Sequence, residues 1–285
     1  MNILVTGANG FVGWHLCNFL ENKSNNLFRI SRKKKNNQKN ILELDLLDQD
    51  AVVNFGNEFK EKIDVVIHLA SKMANPGQNQ SEQLQILSDN ISITNNLVIL
   101  IKELKPKKLI NFSSMAVYPN IDGIFDEKSE IRMSENTDCF YGLAKFCSEN
   151  IFDSFLRELN MVISHLRISQ IYGDGMYENR IIPVMKEELR TENRITLFAN
   201  GERVSNFINI KKLMEIIDFF VSKDIAGIYN VGDEQLSYLQ LAQKIIVENG
   251  NSKSVIVKKE EAKKEKSFAS KFYLNIEKLT KILKN

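Results

Sequence analysis

The stretch Thr6-Gly7-Ala8-Asn9-Gly10-Phe11-Val12-Gly13 constrains this chain more than any other. It follows a short apolar run, residues 3–6. It opens a segment, residues 11–20, in which Val12, Leu16, Phe19 and Leu20 share one face at helical spacing. Glycines three apart between a strand and a helix suit one geometry. Gly7 allows a tight turn, Gly10 lets the backbone approach a pyrophosphate, and Gly13 lets the helix pack close on the strand. The helix N-terminus then offers unpaired N–H groups and a partial positive charge to the phosphates.

The same rhythm continues. Apolar runs without alternation at residues 27–31, 41–46, 64–70, 108–114 and 162–169 read as buried strands. Helical spacing fills 49–59, 88–104 (ended by Pro106) and 141–159. Strands separated by helices mean a parallel sheet covered on both faces, a doubly wound α/β (Rossmann) fold. Beyond Ile171 the pattern loosens. A helix follows Pro183 (184–190), short strands stand at 195–198, 207–210 and 228–231, and helices cover 212–222 and 238–249. The expected division is a dinucleotide-binding domain over 1–170, with return strands near 205–232, and a smaller substrate-binding lobe over 171–285.

Composition narrows the function. The chain of 285 residues is 43% hydrophobic and 26% charged, ordinary for a globular enzyme-sized protein, and its net charge of +2 argues against nucleic-acid or membrane partners. The basic runs from Arg32 and from Lys258 read as solvated surface. Cys17, Cys139 and Cys147 make no disulfide framework, and His15, His68 and His165 lack ligand spacing, so no metal is expected. The N-terminus has no leader pattern and no run reaches roughly 18 uninterrupted apolar residues, which points to the cytoplasm.

Two clusters carry chemistry. At the end of the second strand, where an acid would bind an adenosine ribose 2′-OH, the chain reads Ser31-Arg32-Lys33-Lys34. A hydroxyl and cations hold a 2′-phosphate, which favours NADP, with NAD the alternative. Further on, Tyr141-Gly142-Leu143-Ala144-Lys145 places a phenol and an ammonium at i and i+4, on one helix face. A nearby cation favours phenolate and fits Tyr141 for proton transfer to or from a hydroxyl/ketone pair. Ser114, closing the upstream strand, could polarise the same oxygen.

TGANGFVG, DVVIHLAS, FSSMAVY, YGLAK and LRISQIYGDG, in this order, resemble the extended short-chain dehydrogenase/reductase family of nucleotide-sugar epimerases, dehydratases and 4-ketoreductases. The resemblance runs through ITLFANGERVSNFINI and AGIYNVGDEQLSYLQLA, nearly the whole chain. It implies a catalytic triad of Ser114, Tyr141 and Lys145, and a cofactor loop of Gly7, Gly10, Phe11, Val12 and Gly13. It implies further cofactor contacts at Asp45, Leu46, Leu69, Ala70, Ser71 and Asn90, and an active-site lining of Ser169 and Gln170. The family's 4,6-dehydratases carry Thr-Asp-Glu where this chain has Ser114-Met115-Ala116, so the acid and base of dehydration are missing. Where many members read R-D-F in the substrate lobe, this chain has Ser205-Asn206-Phe207, and Arg203 is the candidate replacement for the phosphate-binding arginine. Outside these motifs, His68 reads as a strand residue under the cofactor, Trp14 as helix–sheet packing, Cys139 as site lining, and Asp126-Glu127 as a solvated loop.

The resulting expectation is an NADP(H)-using reductase of a nucleotide-linked 4-keto sugar, with Tyr141 as proton donor. A 4-epimerase keeping NAD tightly bound is the alternative, ahead of a dehydratase or a non-catalytic dinucleotide-binding regulator. The helix over 88–104 is a candidate for pairing with a second copy in a homodimer.

Overall fold

The computed structural model describes residues 1–33, 41–73, 78–132, 139–259 and 270–284. In chain order the strands are β1 (Asn2–Thr6), β2 (Asn26–Ser31), β3 (Ile41–Glu43), β4 (Val65–His68), β5 (Lys108–Ser114), β6 (Gly123–Phe125), β7 (Val162–Ile168), β8 (Gln170–Tyr172), β9 (Arg194–Phe198), β10 (Val204–Asn209), β11 (Gly227–Val231), β12 (Glu234–Ser237), β13 (Val255–Lys259) and β14 (Phe272–Leu274). The helices are α1 (Phe11–Glu21), α2 (Gln49–Glu58), α3 (Gln80–Leu104), α4 (Cys139–Phe155), α5 (Ile181–Glu192), α6 (Ile210–Ser222), α7 (Tyr238–Asn249) and α8 (Glu277–Leu283).

Seven strands form one sheet in the order β3-β2-β1-β4-β5-β7-β11, and every pairing is parallel. Because side chains alternate along a strand, each strand feeds two cores. Ile3, Val5, Val65, Ile67, Ile110 and Phe112 face α1, α6 and α8. Leu4, Val66 and Leu109 face α2, α3 and α4. This double burial explains why the strands read as unbroken apolar runs. α3 is long and apolar enough to cross a membrane by length and composition, but half of its apolar stretch is buried in the protein, as expected of a core helix.

Lys108 is a buried cation with a structural task. Its Nζ donates to the carbonyls of Phe220 (3.0 Å), Val221 (2.9 Å) and Lys223 (2.6 Å), and lies 3.2 Å from Asp224 Oδ1. It thereby ties the main sheet to the C-terminus of α6, where free carbonyls and the helix dipole favour a cation.

The second half forms smaller layers. β10 lies between β8 and β12, β9 pairs with β13, and β6 pairs with β14. Ile182, Met185, Leu189, Ile195, Phe207, Leu241 and Ile245 form one core here, and Val117, Tyr118, Phe125, Phe272 and Leu274 another. Of the expected return strands, β11 joins the main sheet, whereas β10 stays in the three-stranded layer.

Several boundaries move. α3 begins eight residues earlier than the apolar pattern suggests, because Asn79 and Glu82 form a capping box that starts the helix in polar sequence. Pro183 lies inside the first turn of α5, where its missing N–H costs nothing. The run 41–46 is a strand only to Glu43; Leu44 and Leu46 then turn into the core.

Candidate active site

The strand order reverses between β1 and β4, and ligands of such sheets bind at the carboxyl ends of strands around that point. The glycine loop leaves β1 there. Gly7 has φ +69°, and a Cβ on it would lie 2.8 Å from the Ala70 nitrogen, in the loop after β4. A Cβ on Gly13 would lie 2.3 Å from the Gly7 carbonyl oxygen. Both positions therefore require glycine. No side chain caps α1 at Gly10, and no acidic residue stands in its first turn. This cradle fits the pyrophosphate of a nicotinamide dinucleotide.

Thr6 welds the two loops together. Its Oγ1 accepts from Leu69 N and Ala70 N, both at 3.2 Å, so its proton goes to His68 Nδ1 at 2.8 Å. Burial, with the Lys145 ammonium adding to it, pulls the His68 pKa down to about 3. The ring is neutral and structural, as its sequence context suggested. Asn90 is occupied in the same way: its side chain accepts from Ser71 Oγ (3.0 Å) and Lys72 N (2.8 Å) and donates to the Lys72 carbonyl (2.9 Å). It shapes the loop of Leu69, Ala70 and Ser71.

At the adenosine end, Asn9 Nδ2 donates to Ser31 Oγ (2.6 Å) and to the Lys33 carbonyl (3.0 Å), and Ser31 Oγ donates to that same carbonyl (3.1 Å). Arg32 and Lys33 are exposed; Lys34 lies outside the described residues. The parallel register sets Glu43 of β3 beside Ser31. Glu43 is exposed, so an acid does reach this corner, from the neighbouring strand. Asp45 Oδ1 accepts from Leu47 N (3.0 Å), and Leu46 is buried in the core.

Across the switch point, Ser114 ends β5 and begins a short 3-10 turn, Met115–Val117, with its Oγ accepting from Ala116 N at 3.1 Å. Because Oγ accepts there, the hydroxyl keeps its own proton as a donor. Tyr141 and Lys145 lie one turn apart on α4, with Lys145 Nζ 5.7 Å from the Tyr141 ring centroid. That Nζ donates to the Phe112 carbonyl at 2.7 Å and is buried. Burial lowers the Lys145 pKa to about 8, against the opposing pull of Glu149.

Two features here were invisible in the sequence pattern. A Cβ on Gly142 would lie 2.0 Å from the Ala116 carbonyl oxygen, so α4 rests directly on the serine turn. The bare Y-G-x-A-K string held this glycine, but only the packing shows what it touches. Behind Lys145, Glu149 pairs with Arg167 of β7 through two bonds (3.0 and 2.7 Å) and accepts from Ser113 Oγ (2.5 Å). Arg167 also donates to Tyr118 Oη (3.0 Å), which donates to Asn230 Oδ1 (2.7 Å).

Other expected residues sit differently. The Ser169 hydroxyl is buried against Gly232, and Gln170 donates to Ser205 Oγ at 2.7 Å. Asn206 ties β10 to β14, donating to Phe272 O (3.0 Å) and accepting from Leu274 N (2.9 Å). The Arg203 guanidinium lies over the Tyr238 ring, 5.8 Å from its centroid. Trp14 is 52% exposed and meets His15 edge-on, so it is not the helix–sheet filler its position suggested. Glu127 is no free loop acid: its Oε1 accepts from Asn230 N at 2.8 Å. Cys139 begins α4, half-buried. Among the described residues no group of His, Cys, Asp or Glu is arranged to hold a metal.

A parallel sheet with a glycine cradle at its switch point, facing a serine turn and a Tyr-x-x-x-Lys helix, marks an extended short-chain dehydrogenase/reductase. Residues 3–232 match the model of the NAD dependent epimerase/dehydratase family, and the chain belongs to that family. A dTDP-D-glucose 4,6-dehydratase of Dictyostelium discoideum is 29% identical over 268 residues, covering 86% of this chain and 61% of that protein. The chain thus spans about three-fifths of that relative. A dTDP-4-dehydro-6-deoxy-D-allose reductase of Streptomyces is 22% identical over 269 residues, covering 89% of this chain and 82% of the reductase. Among solved structures, a UDP-glucose 4-epimerase from Thermotoga maritima superposes with a TM-score of 0.81 at 22% identity, covering 99% of this chain and 92% of the epimerase.

Proposed function

We propose that this chain is an enzyme that moves hydride and a proton at a sugar carbon of a nucleoside-diphosphate sugar, reducing a 4-keto group with NADPH. A bound nicotinamide dinucleotide would supply the hydride. Gly7, Gly10, Phe11, Val12 and Gly13 would hold its pyrophosphate, Leu69, Ala70 and Ser71 would flank it, and Arg32 and Lys33 would face a 2′-phosphate. Tyr141 donates its phenolic proton to the keto oxygen, and the Ser114 hydroxyl donates a hydrogen bond to the same oxygen and draws charge onto it. Lys145 stands beside the phenol and stabilises the phenolate left behind.

The observation that carries a redox step without dehydration is the Ser114 turn. Elimination needs a carboxylic acid and a base next to the serine, and Met115 and Ala116 stand there, Ala116 abutting Gly142. The acids of the loop that follows, Asp126 and Glu127, are engaged with Ser129 and Asn230.

One observation favours a second reading. Glu43 in register with Ser31 offers a carboxylate that accepts from ribose hydroxyls and repels a 2′-phosphate. That suits NAD, retained through a cycle of oxidation, rotation and reduction in a 4-epimerase. The deciding experiment analyses the dinucleotide that copurifies, then titrates emptied protein with NADPH and NADH by nucleotide fluorescence. It is followed by turnover of dTDP-4-keto-6-deoxyglucose with NADPH, and of UDP-glucose alone. More than tenfold preference for NADPH, about 1.4 kcal/mol, with consumption of the keto sugar supports the reductase. Tightly held NAD with interconversion of UDP-glucose and UDP-galactose refutes it in favour of the epimerase.

A further inference from the structure

Glu149 and Arg167 form an ion pair in which both side chains are 2% exposed. Such a pair is a poor source of stability, since apolar residues of similar volume do as well or better. Its position suggests another use. Glu149 lies one turn beyond Lys145 on α4, and the two grip successive residues of β5: Lys145 Nζ the Phe112 carbonyl, Glu149 Oε1 the Ser113 hydroxyl. Ser114 follows directly. With Gly142 resting on Ala116, the helix is joined to the strand and its turn on both sides of Ser114.

We propose that Glu149, held by Arg167 and Ser113, is a positioning residue for Tyr141: it keeps Lys145 charged and α4 in register with the serine turn. The inference rests on the reading of Tyr141 as the acid–base group. Among the described residues, the groups facing the Lys145 ammonium are Tyr141 and Glu149 from its own helix and neutral His68 from β4, with Arg167 of β7 behind Glu149. On α3, packed along α4, Asp89 is engaged by Lys72. Glu149 is thus the anion that offsets the burial of Lys145, and Arg167 fixes where that anion sits. Without it burial acts on the ammonium unopposed and draws its pKa lower still, and Tyr141 loses the cation that favours its phenolate.

The test replaces the pair without leaving a lone buried charge, in Glu149→Met/Arg167→Leu. Near-ultraviolet tyrosinate absorbance is titrated in wild type and in the double variant, each read against the same protein carrying Tyr141→Phe. The Tyr141 midpoint rises by about one pH unit in the double variant, while the thermal unfolding midpoint holds or increases. An unmoved Tyr141 midpoint in the folded double variant means the pair is structural and overturns the proposal. If the apolar pair does not fold, Glu149→Gln/Arg167→Gln, also charge-free and able to hydrogen-bond, is read by the same criterion. The titration needs no substrate. A wild type that turns over neither dTDP-4-keto-6-deoxyglucose nor UDP-glucose therefore refutes the proposed function, and the titration still judges Glu149.

Discussion

Replacing Gly142 by alanine tests whether the contact between α4 and the serine turn sets the catalytic geometry. The added Cβ would lie 2.0 Å from the Ala116 oxygen and 2.7 Å from its carbon. Real Cβ atoms stay at least 3.0 Å from such neighbours, so the helix or the turn must give way by 3.0 − 2.0 = 1.0 Å. Both sides of the contact are backbone, so no side chain can swing aside. Overpacking of this kind costs about 1–3 kcal/mol of stability, and a displacement of about 1 Å between reacting groups costs on the order of a hundredfold in rate. The glycine cradle lies across the switch point and is untouched. Gly142→Ala is therefore expected to lower kcat about a hundredfold on dTDP-4-keto-6-deoxyglucose or UDP-glucose, whichever the wild type turns over, with a thermal midpoint down by a few degrees. Its dinucleotide Kd stays within about threefold of wild type. A variant that folds and retains kcat within about threefold would show that the contact does not set the geometry.

Three further outcomes follow from the structure. His68 takes a proton at its ordinary 6.5 when unfolded but only at about 3 when folded, so unfolded chains bind more protons between those values and stability falls as pH drops through them, by at most about 5 kcal/mol; His68→Asn should flatten that slope in urea unfolding at successively lower pH. Lys108→Met removes the side-chain donor to the Phe220, Val221 and Lys223 carbonyls, of which the last keeps the Ile225 N–H, and should cost about 2 kcal/mol or more, with faster amide exchange in the last turn of α6; unchanged exchange there would count against the capping role. Gly13→Ala drives a Cβ to 2.3 Å from the Gly7 oxygen and should weaken dinucleotide binding by about tenfold or more, measured by nucleotide fluorescence, while leaving the Tyr141 tyrosinate titration in place.

The sheet was legible because burial on both faces favours apolar residues along a whole strand: β1, β4 and β5 could be placed from their mainly apolar runs, although each also buries a polar side chain such as Thr6, His68 or Lys108. The glycine loop was legible because backbone needs are written as glycines. β6, β8 and β14 escaped because strands of three residues carry no periodicity, and their pairing is set by contacts far along the chain. The N-terminal turns of α3 escaped because its start depends on the Asn79–Glu82 cap, not on apolar spacing. At the site, Tyr141 and Lys145 share a helix and so share a signal. Ser113, Glu149 and Arg167 come from three elements, and nothing local relates them. Glu43 shows the same limit: the acid absent from the end of β2 is brought beside it by the register of β3. Ser169 and Gln170 fall where the motif expects them, yet one is enclosed by Gly232 and the other spent on Ser205.

The strand order also sets how the molecule can be assembled during synthesis. β1, β2 and β3 extend the sheet in one direction, and β4, β5, β7 and β11 then add to the other side of β1 in the order the ribosome delivers them. No strand of the main sheet has to insert between two that are already paired; β4 too joins β1 at an open edge. Parallel pairing is slow because each pair must close a long loop, but here each loop closes onto a surface that already exists. The glycine cradle is complete once β4 is laid down, well before α4 emerges, and Lys108 waits on β5 until α6 arrives to accept it. The half that carries the glycine cradle can thus form on a growing chain while the half that carries Tyr141 and Lys145 is still being made.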